Sequence, residues 1–167
     1  MNLSQTTFAA LSILAMIAVT TRADERDVSV VGTWRLVSFQ SETSDGKVTD
    51  LYGSPPLGQL IYDVSGHMSV HLLKADLPKC GTLDRRVCPD RQARSAFDNY
   101  LGYWGRYQID QRKGTITHIV EGASVPDWVG TSQERSFKLS GNRLTLTTPP
   151  QRVGGADSVQ RLVWVRE

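Results

Sequence analysis

Three groups of side chains in this sequence could do chemistry: a histidine and a glutamate in THIVEGASVPDWVGT, an arginine on an otherwise apolar register, and a single pair of cysteines. His118 and Glu121 are an imidazole and a carboxylate, the usual groups for moving a proton near neutral pH, and around a small substrate they could act as acid and base. Strand geometry argues against their meeting. His118 alternates with Ile116 and Val120, while Glu121 falls in the register of Thr117 and Ile119 unless a bulge intervenes. The alternative is a hydrogen-bonded core histidine, with the glutamate ending its strand or pairing an arginine. That arginine would be Arg135. It shares its alternation with Gln133, Phe137 and Leu139, whereas Glu134, Ser136 and Lys138 take the other face. An inward guanidinium must be paired, and two partners suit it: the Glu121 carboxylate, or a ligand carboxylate gripped by its fork of donors.

Other chemistries are poorly supported. His67 and His71 share a strand face with Ser69, about 13 Å apart in an extended chain and too far to hold one metal together. No Ser-His-Asp order, nucleotide-binding glycine motif, HExxH or zinc-finger spacing occurs, so neither a metal nor a cofactor is expected. Cys80 and Cys88 bracket Gly81 to Val87. A structural disulfide is the simpler reading, worth roughly 2 to 3 kcal/mol on entropic models of so short a loop. Free thiols or half of a zinc site are the alternatives, but zinc usually wants four ligands in closer pairs. Trp34, Tyr62, Met68, Tyr103, Trp104, Tyr107 and Trp128 offer the flat, adaptable surfaces that build cores and line apolar pockets. From these and the polar residues above, the candidate ligand-binding set is Tyr62, Met68, Tyr107, His118, Glu121, Trp128 and Arg135.

The elements that must position these residues are mostly short β-segments separated by turn chemistry. Val30 to Gln40 is rich in β-branched and aromatic residues and runs toward the turn signal Asp45-Gly46. Three hairpins follow. Gln59–Asp63 and His67–Leu73 flank Val64-Ser65-Gly66, Tyr103–Asp110 and Thr115–Glu121 flank 111–114, and Glu134–Leu139 and Arg143–Thr148 flank Ser140-Gly141-Asn142. Pro149-Pro150 stops the last of these, since proline lacks the donor a ladder needs. Val159 to Val165 ends the series. One helix is predicted after Pro89, with Ala93, Ala96, Phe97, Tyr100 and Leu101 apolar at helical spacing, Asp90 as cap, Gly102 as stop, and the apolar stripe packed on or across the barrel. About eight strands joined by hairpins point to an antiparallel sandwich or barrel and disfavour a parallel α/β sheet.

Composition sets the outer limits. Of 167 residues 40% are hydrophobic and 22% charged, which is globular rather than disordered. Lys and Arg number 19 against 17 Asp and Glu without a basic run, so nucleic acid is not an expected partner. Phe8 to Val19 is an apolar run too short to span a bilayer and suited to a signal peptide. Residues 1–23 are accordingly read as an export signal cut between Ala23 and Asp24, leaving 24–167 as one domain with no membrane span, periplasmic or secreted. An oxidising compartment agrees with a bonded cysteine pair.

Gly32-Thr33-Trp34 looks like the Gly-x-Trp opening strand of lipocalins. Behind it come DGKVTDLYG, GQLIYDVSGHMSV, AFDNYLGYWGRYQID, THIVEGASVPDWVGT, NRLTLTTPP and RLVWVRE. Together these resemble, along nearly the whole mature chain, the bacterial and fungal lipocalin-like domain family. The resemblance implies an all-β, up-and-down barrel of about eight strands with a lumen. By lipocalin analogy, Arg161 would pack over Trp34 at the closed end as a structural cation–π contact of about 0.5 to 2 kcal/mol. Cys80, Cys88 and the export signal depart from the family pattern. The function expected is that of an exported carrier or scavenger, its partner a small hydrophobic or amphipathic molecule held in the barrel. The alternatives are an isomerase, hydratase or cyclase using His118 with Glu121 or Tyr107, and a filled barrel with a purely structural or interaction role.

Overall fold

The computed structural model describes residues 29–153 and 156–167; the segment read as a signal peptide, 1–23, lies outside them. Ten strands follow in chain order: β1 (Gly32–Thr43), β2 (Val48–Asp50), β3 (Leu57–Tyr62), β4 (His67–Leu73), β5 (Tyr100–Asp110), β6 (Thr115–Ala123), β7 (Ser132–Ser140), β8 (Arg143–Thr147), β9 (Gln151–Val153) and β10 (Ala156–Arg166). Eight of them form a closed antiparallel ring, β1-β3-β4-β5-β6-β7-β8-β10, sealed by pairing of β10 back onto β1. The three-residue strands β2 and β9 flank the ring, on β1 and β10 respectively. Closure leaves the ring itself without open edges.

Alternation decides what faces the lumen. Along β6 the buried residues are Ile116, His118 and Val120, and on β8 they are Leu144 and Leu146. In β1 the inward set is Trp34, Leu36 and Phe39; a register shift against β10 between Leu36 and Ser38 supplies the extra residue that keeps Phe39 inside. Of β7 only Arg135 is fully inside, flanked by exposed Glu134 and Ser136. The expected hairpins are all present, and Gly66, Gly114 and Gly141 take the positive φ their turns require.

The two ends of the ring differ in their connections. Three tight hairpins, the start of β1 and the end of β10 gather at one end. The other end carries the longer segments 44–56, 74–99 and 124–131. Helix α1 (Asp90–Asp98) lies within the second of these, and here the sequence expectation needs correcting. Pro89, not Asp90, is the N-cap, Asn99 closes the helix through its backbone N–H, and Gly102 belongs to β5. Tyr100 and Leu101 are drawn out of the helical stripe by the ladder to β4, where they pair with Leu73 and Leu72. What remains of the helix buries no residue, and Phe97 stays 55% exposed.

Candidate functional site

Midway down the barrel, three strands place a histidine between two tyrosines. Tyr62 on β3 hydrogen-bonds His118 Nε2 at 2.6 Å, and Tyr103 on β5 hydrogen-bonds Nδ1 at 2.8 Å. Burial first, and then the nearby Arg135 guanidinium, push the His118 imidazole down to about 3. It is therefore neutral at physiological pH, with one N–H to give and one lone pair to offer. One tyrosine donates to it and the other accepts from it. Burial likewise raises both phenols. A base this weak is a strut, not a proton acceptor at neutral pH.

Arg135 lies beside this cluster, close enough for its charge to influence Tyr62, Tyr103 and His118. The residue is 9% exposed; Nη1 donates to the carbonyl of its neighbour Glu134 at 2.8 Å, and the guanidinium also lies against the Tyr103 hydroxyl. Among the described residues no carboxylate comes within 4.0 Å of it. The expected partner, Glu121, is elsewhere. At the β5–β6 bulge Trp104 pairs with Gly122 and Gly105 with Val120, leaving Glu121 as the extra residue on the outer surface, where it takes Arg106 at 3.2 Å. Glu121 thus leaves the lumen, and with it goes the acid–base pair with His118.

Tyr103, His118 and Arg135 form part of the wall of a pocket. Its sides are mainly apolar, with Phe39, Leu72, Leu101, Leu162 and Trp164 among them, and it spans about 410 Å³ including its mouth. The resting barrel is nearly full: a water molecule's centre can reach only about 30 Å³ of that space. Trp128 lines the pocket from the turn Pro126–Trp128 between β6 and β7, its ring set edge-on against Tyr103 at 5.5 Å. Trp164 is wholly buried, and its indole N–H finds no acceptor among the described residues.

The other candidates, Tyr62, Met68 and Tyr107, are not among the residues that line this pocket. Met68 is buried in the core with Tyr62. Tyr107 packs on Tyr62 at 4.7 Å and spends its hydroxyl on the Asp63 carbonyl at 2.8 Å. His67 and His71 point outward, to Ser65 and Tyr100 respectively. Among the described residues no three His, Cys, Asp or Glu side chains converge as a metal site would require. Cys80 and Cys88 are bonded.

At the closed end, Arg161 does not cover Trp34. It pairs with Glu42 at 3.4 Å near the opposite end, because its register partner on β1 is Gln40. Arg166 is the residue directly opposite Trp34, and its guanidinium stacks 4.1 Å from the ring while donating to the Val31 and Ser29 carbonyls. A Cβ on Gly32 would run into that guanidinium, which gives the glycine of Gly-x-Trp its physical reason. Of the residues lining the pocket, only His118, Trp128 and Arg135 were among the candidates from sequence; Tyr103 and Trp164 are the polar-tipped aromatics that were missed. Tyr103 could have been found, since it alternates with Gly105 and Tyr107; the orphaned Trp164 N–H leaves no mark in a sequence.

A closed eight-stranded antiparallel barrel, blocked at one end and pocketed at the other, defines a class of lipocalin-like architecture. The lipocalin-like domain matches residues 31–167, and the chain belongs to that family. It is similar to a 4'-hydroxy-3'-methoxypropiophenone carrier protein of Aspergillus oryzae, 29% identical over 104 residues that make up 58% of this chain and 94% of the relative. A lipocalin-like protein from Bacteroides uniformis, known from a crystal structure, aligns over 82% of this chain and 97% of its own at 14% identity and a TM-score of 0.43.

Proposed function

We propose that this protein is an exported carrier that holds one small, largely apolar molecule in its barrel. The observation that carries the reading is the pocket with mainly apolar walls at the long-loop end. The A. oryzae relative, named for carrying an aryl ketone, supports a ligand of similar size. Export rests on the signal-like segment 1–23 and on the Cys80–Cys88 disulfide, a bond that persists in oxidising compartments. Mass spectrometry of the exported protein should find Asp24 at its N-terminus; an intact Met1 end would defeat the cleavage.

Because the resting lumen has room for roughly two waters, a ligand of a dozen heavy atoms enters only if the wall gives way. Trp128, half-buried on a short turn rather than in a strand, is the wall element whose movement this reading calls on. Titration with 4'-hydroxy-3'-methoxypropiophenone and with an anilinonaphthalene sulfonate dye, read by tryptophan fluorescence, should show saturable one-to-one binding. Trp128→Ala should speed association of the dye. If neither probe binds and the lumen stays shut to both, the barrel is a filled structural module instead. The catalytic alternative has lost its geometry, since Glu121 lies outside and Tyr107 is committed to a backbone carbonyl.

A further inference from the structure

We propose that the pocket selects an oxyanion: the ligand's head group is a carboxylate or an ionised phenol, gripped by Arg135 and supported by the Trp164 indole N–H and the Tyr103 hydroxyl. The inference rests on the carrier reading and adds the chemistry of the head group. A guanidinium presents five N–H donors and stays charged at any physiological pH. Its protein acceptors on Arg135 among the described residues are the Glu134 carbonyl and the neighbouring Tyr103 hydroxyl, with no carboxylate, although the residue is nine-tenths buried. A buried charge in that condition is held at a large solvation cost, which an anion within hydrogen-bonding reach would remove.

Two further observations point the same way. The Trp164 N–H, completely buried in the same wall, has no acceptor either. No Asp or Glu lines the pocket, so nothing in the protein competes for these donors; the remaining polar lining, Gln160 and Thr148, is neutral. The pairing of His118 with its two tyrosines completes the arrangement. A neutral imidazole accepts from one phenol only, so the other keeps its hydroxyl proton free. Tyr103 lines the pocket and Tyr62 does not, so with the imidazole proton on Nδ1 the free hydroxyl proton is that of Tyr103 and can turn toward a ligand. The site is therefore rich in donors and poor in acceptors. A neutral apolar ligand would leave the guanidinium as unpaired as it is now.

The two sources of an oxyanion are separated by matched probes. Trans-cinnamate and its methyl ester share a ring and chain and differ in charge; 4-nitrophenol reports its own ionisation by colour. Cinnamate should bind the wild-type protein about tenfold or more tightly than the ester, the scale of a hydrogen bond to a charged group. Arg135→Met should erase that preference by weakening cinnamate about tenfold or more relative to the ester. Bound 4-nitrophenol should show its apparent pKa lowered by about one unit or more in the wild-type protein but not in the variant. A preference in the cinnamate arm alone assigns a carboxylate, and a shift in the nitrophenol arm alone assigns a phenolate. Ester bound as well as acid, with no shift in nitrophenol, overturns the inference and leaves the carrier reading standing. Failure of every probe to bind overturns both.

Discussion

The barrel sets an arginine against aromatic side chains at two levels, half-buried Arg166 and buried Arg135, and the two are treated differently. At the closed end Arg166 has a ring to stack on and two carbonyls to donate to. In the pocket Arg135 sits among Tyr103, His118 and apolar walls, with one carbonyl and the Tyr103 hydroxyl as its neutral partners. Where the charge serves the fold, the fold supplies its partners. Where partners are missing, the charge adds cost to the fold and stands ready for something that is not part of the chain. The difference separates a plug from a pocket within one continuous core.

That contrast can be broken by mutation. The largest effect should come from Trp34, fully buried beneath Arg166: Trp34→Ala should cost about 3 to 5 kcal/mol in chemical denaturation, enough to unfold much of the population. A loss below about 1 kcal/mol would mean that the closed end does not anchor the barrel.

Acid should act on the pocket half instead. His118 is held near 3 in the folded protein against 6.5 for an ordinary histidine, so the unfolded chain takes up the proton first. Its contribution is whole above pH 6.5 and is lost progressively as pH falls toward 3, with a limiting slope of about 1.4 kcal/mol per pH unit. His118→Gln should flatten that slope, measured as midpoint denaturant concentration against pH. The Arg166–Trp34 stack does not titrate in this range and should leave the slope untouched when mutated.

The smallest effects are also the sharpest, because they should differ in sign. Arg166→Met should lower stability by about 1 to 3 kcal/mol through the lost stack and the orphaned carbonyls. Arg135→Met should leave stability unchanged or raise it by about 1 to 4 kcal/mol, since it replaces an uncompensated buried charge with a hydrophobe. Equal losses in both variants would erase the distinction between the two ends.

Much of this arrangement was legible in the sequence because strand alternation has a period of two. That period puts His118 with Ile116 and Val120, and Arg135 with Phe137 and Leu139, on the inner face. Turn residues marked the three hairpins. What alternation cannot give is which residues sit opposite one another. The pairing of Trp34 with Arg166 rather than Arg161 depends on the register of β1 on β10, and that register contains a bulge. A second bulge, between β5 and β6, decides that Glu121 meets Arg106 outside and not Arg135 inside. The helix was misread for a related reason: Tyr100 and Leu101 fit a helical stripe equally well, and only the ladder to β4 shows that the sheet claims them.

The excursion between β4 and β5 has a consequence for how such a barrel diversifies. Residues 74–99, with the helix and the disulfide, contain no buried position, and the strands they join meet directly where Leu73 pairs with Tyr100. The chain leaves the wall and returns to it at adjacent points, so the cost of closing that loop changes little with its length. Such a segment can be shortened, lengthened or exchanged in evolution or by grafting while the wall keeps its register. Since it emerges at the pocketed end, replacing it would remodel the approach to the lumen without touching the residues that line it.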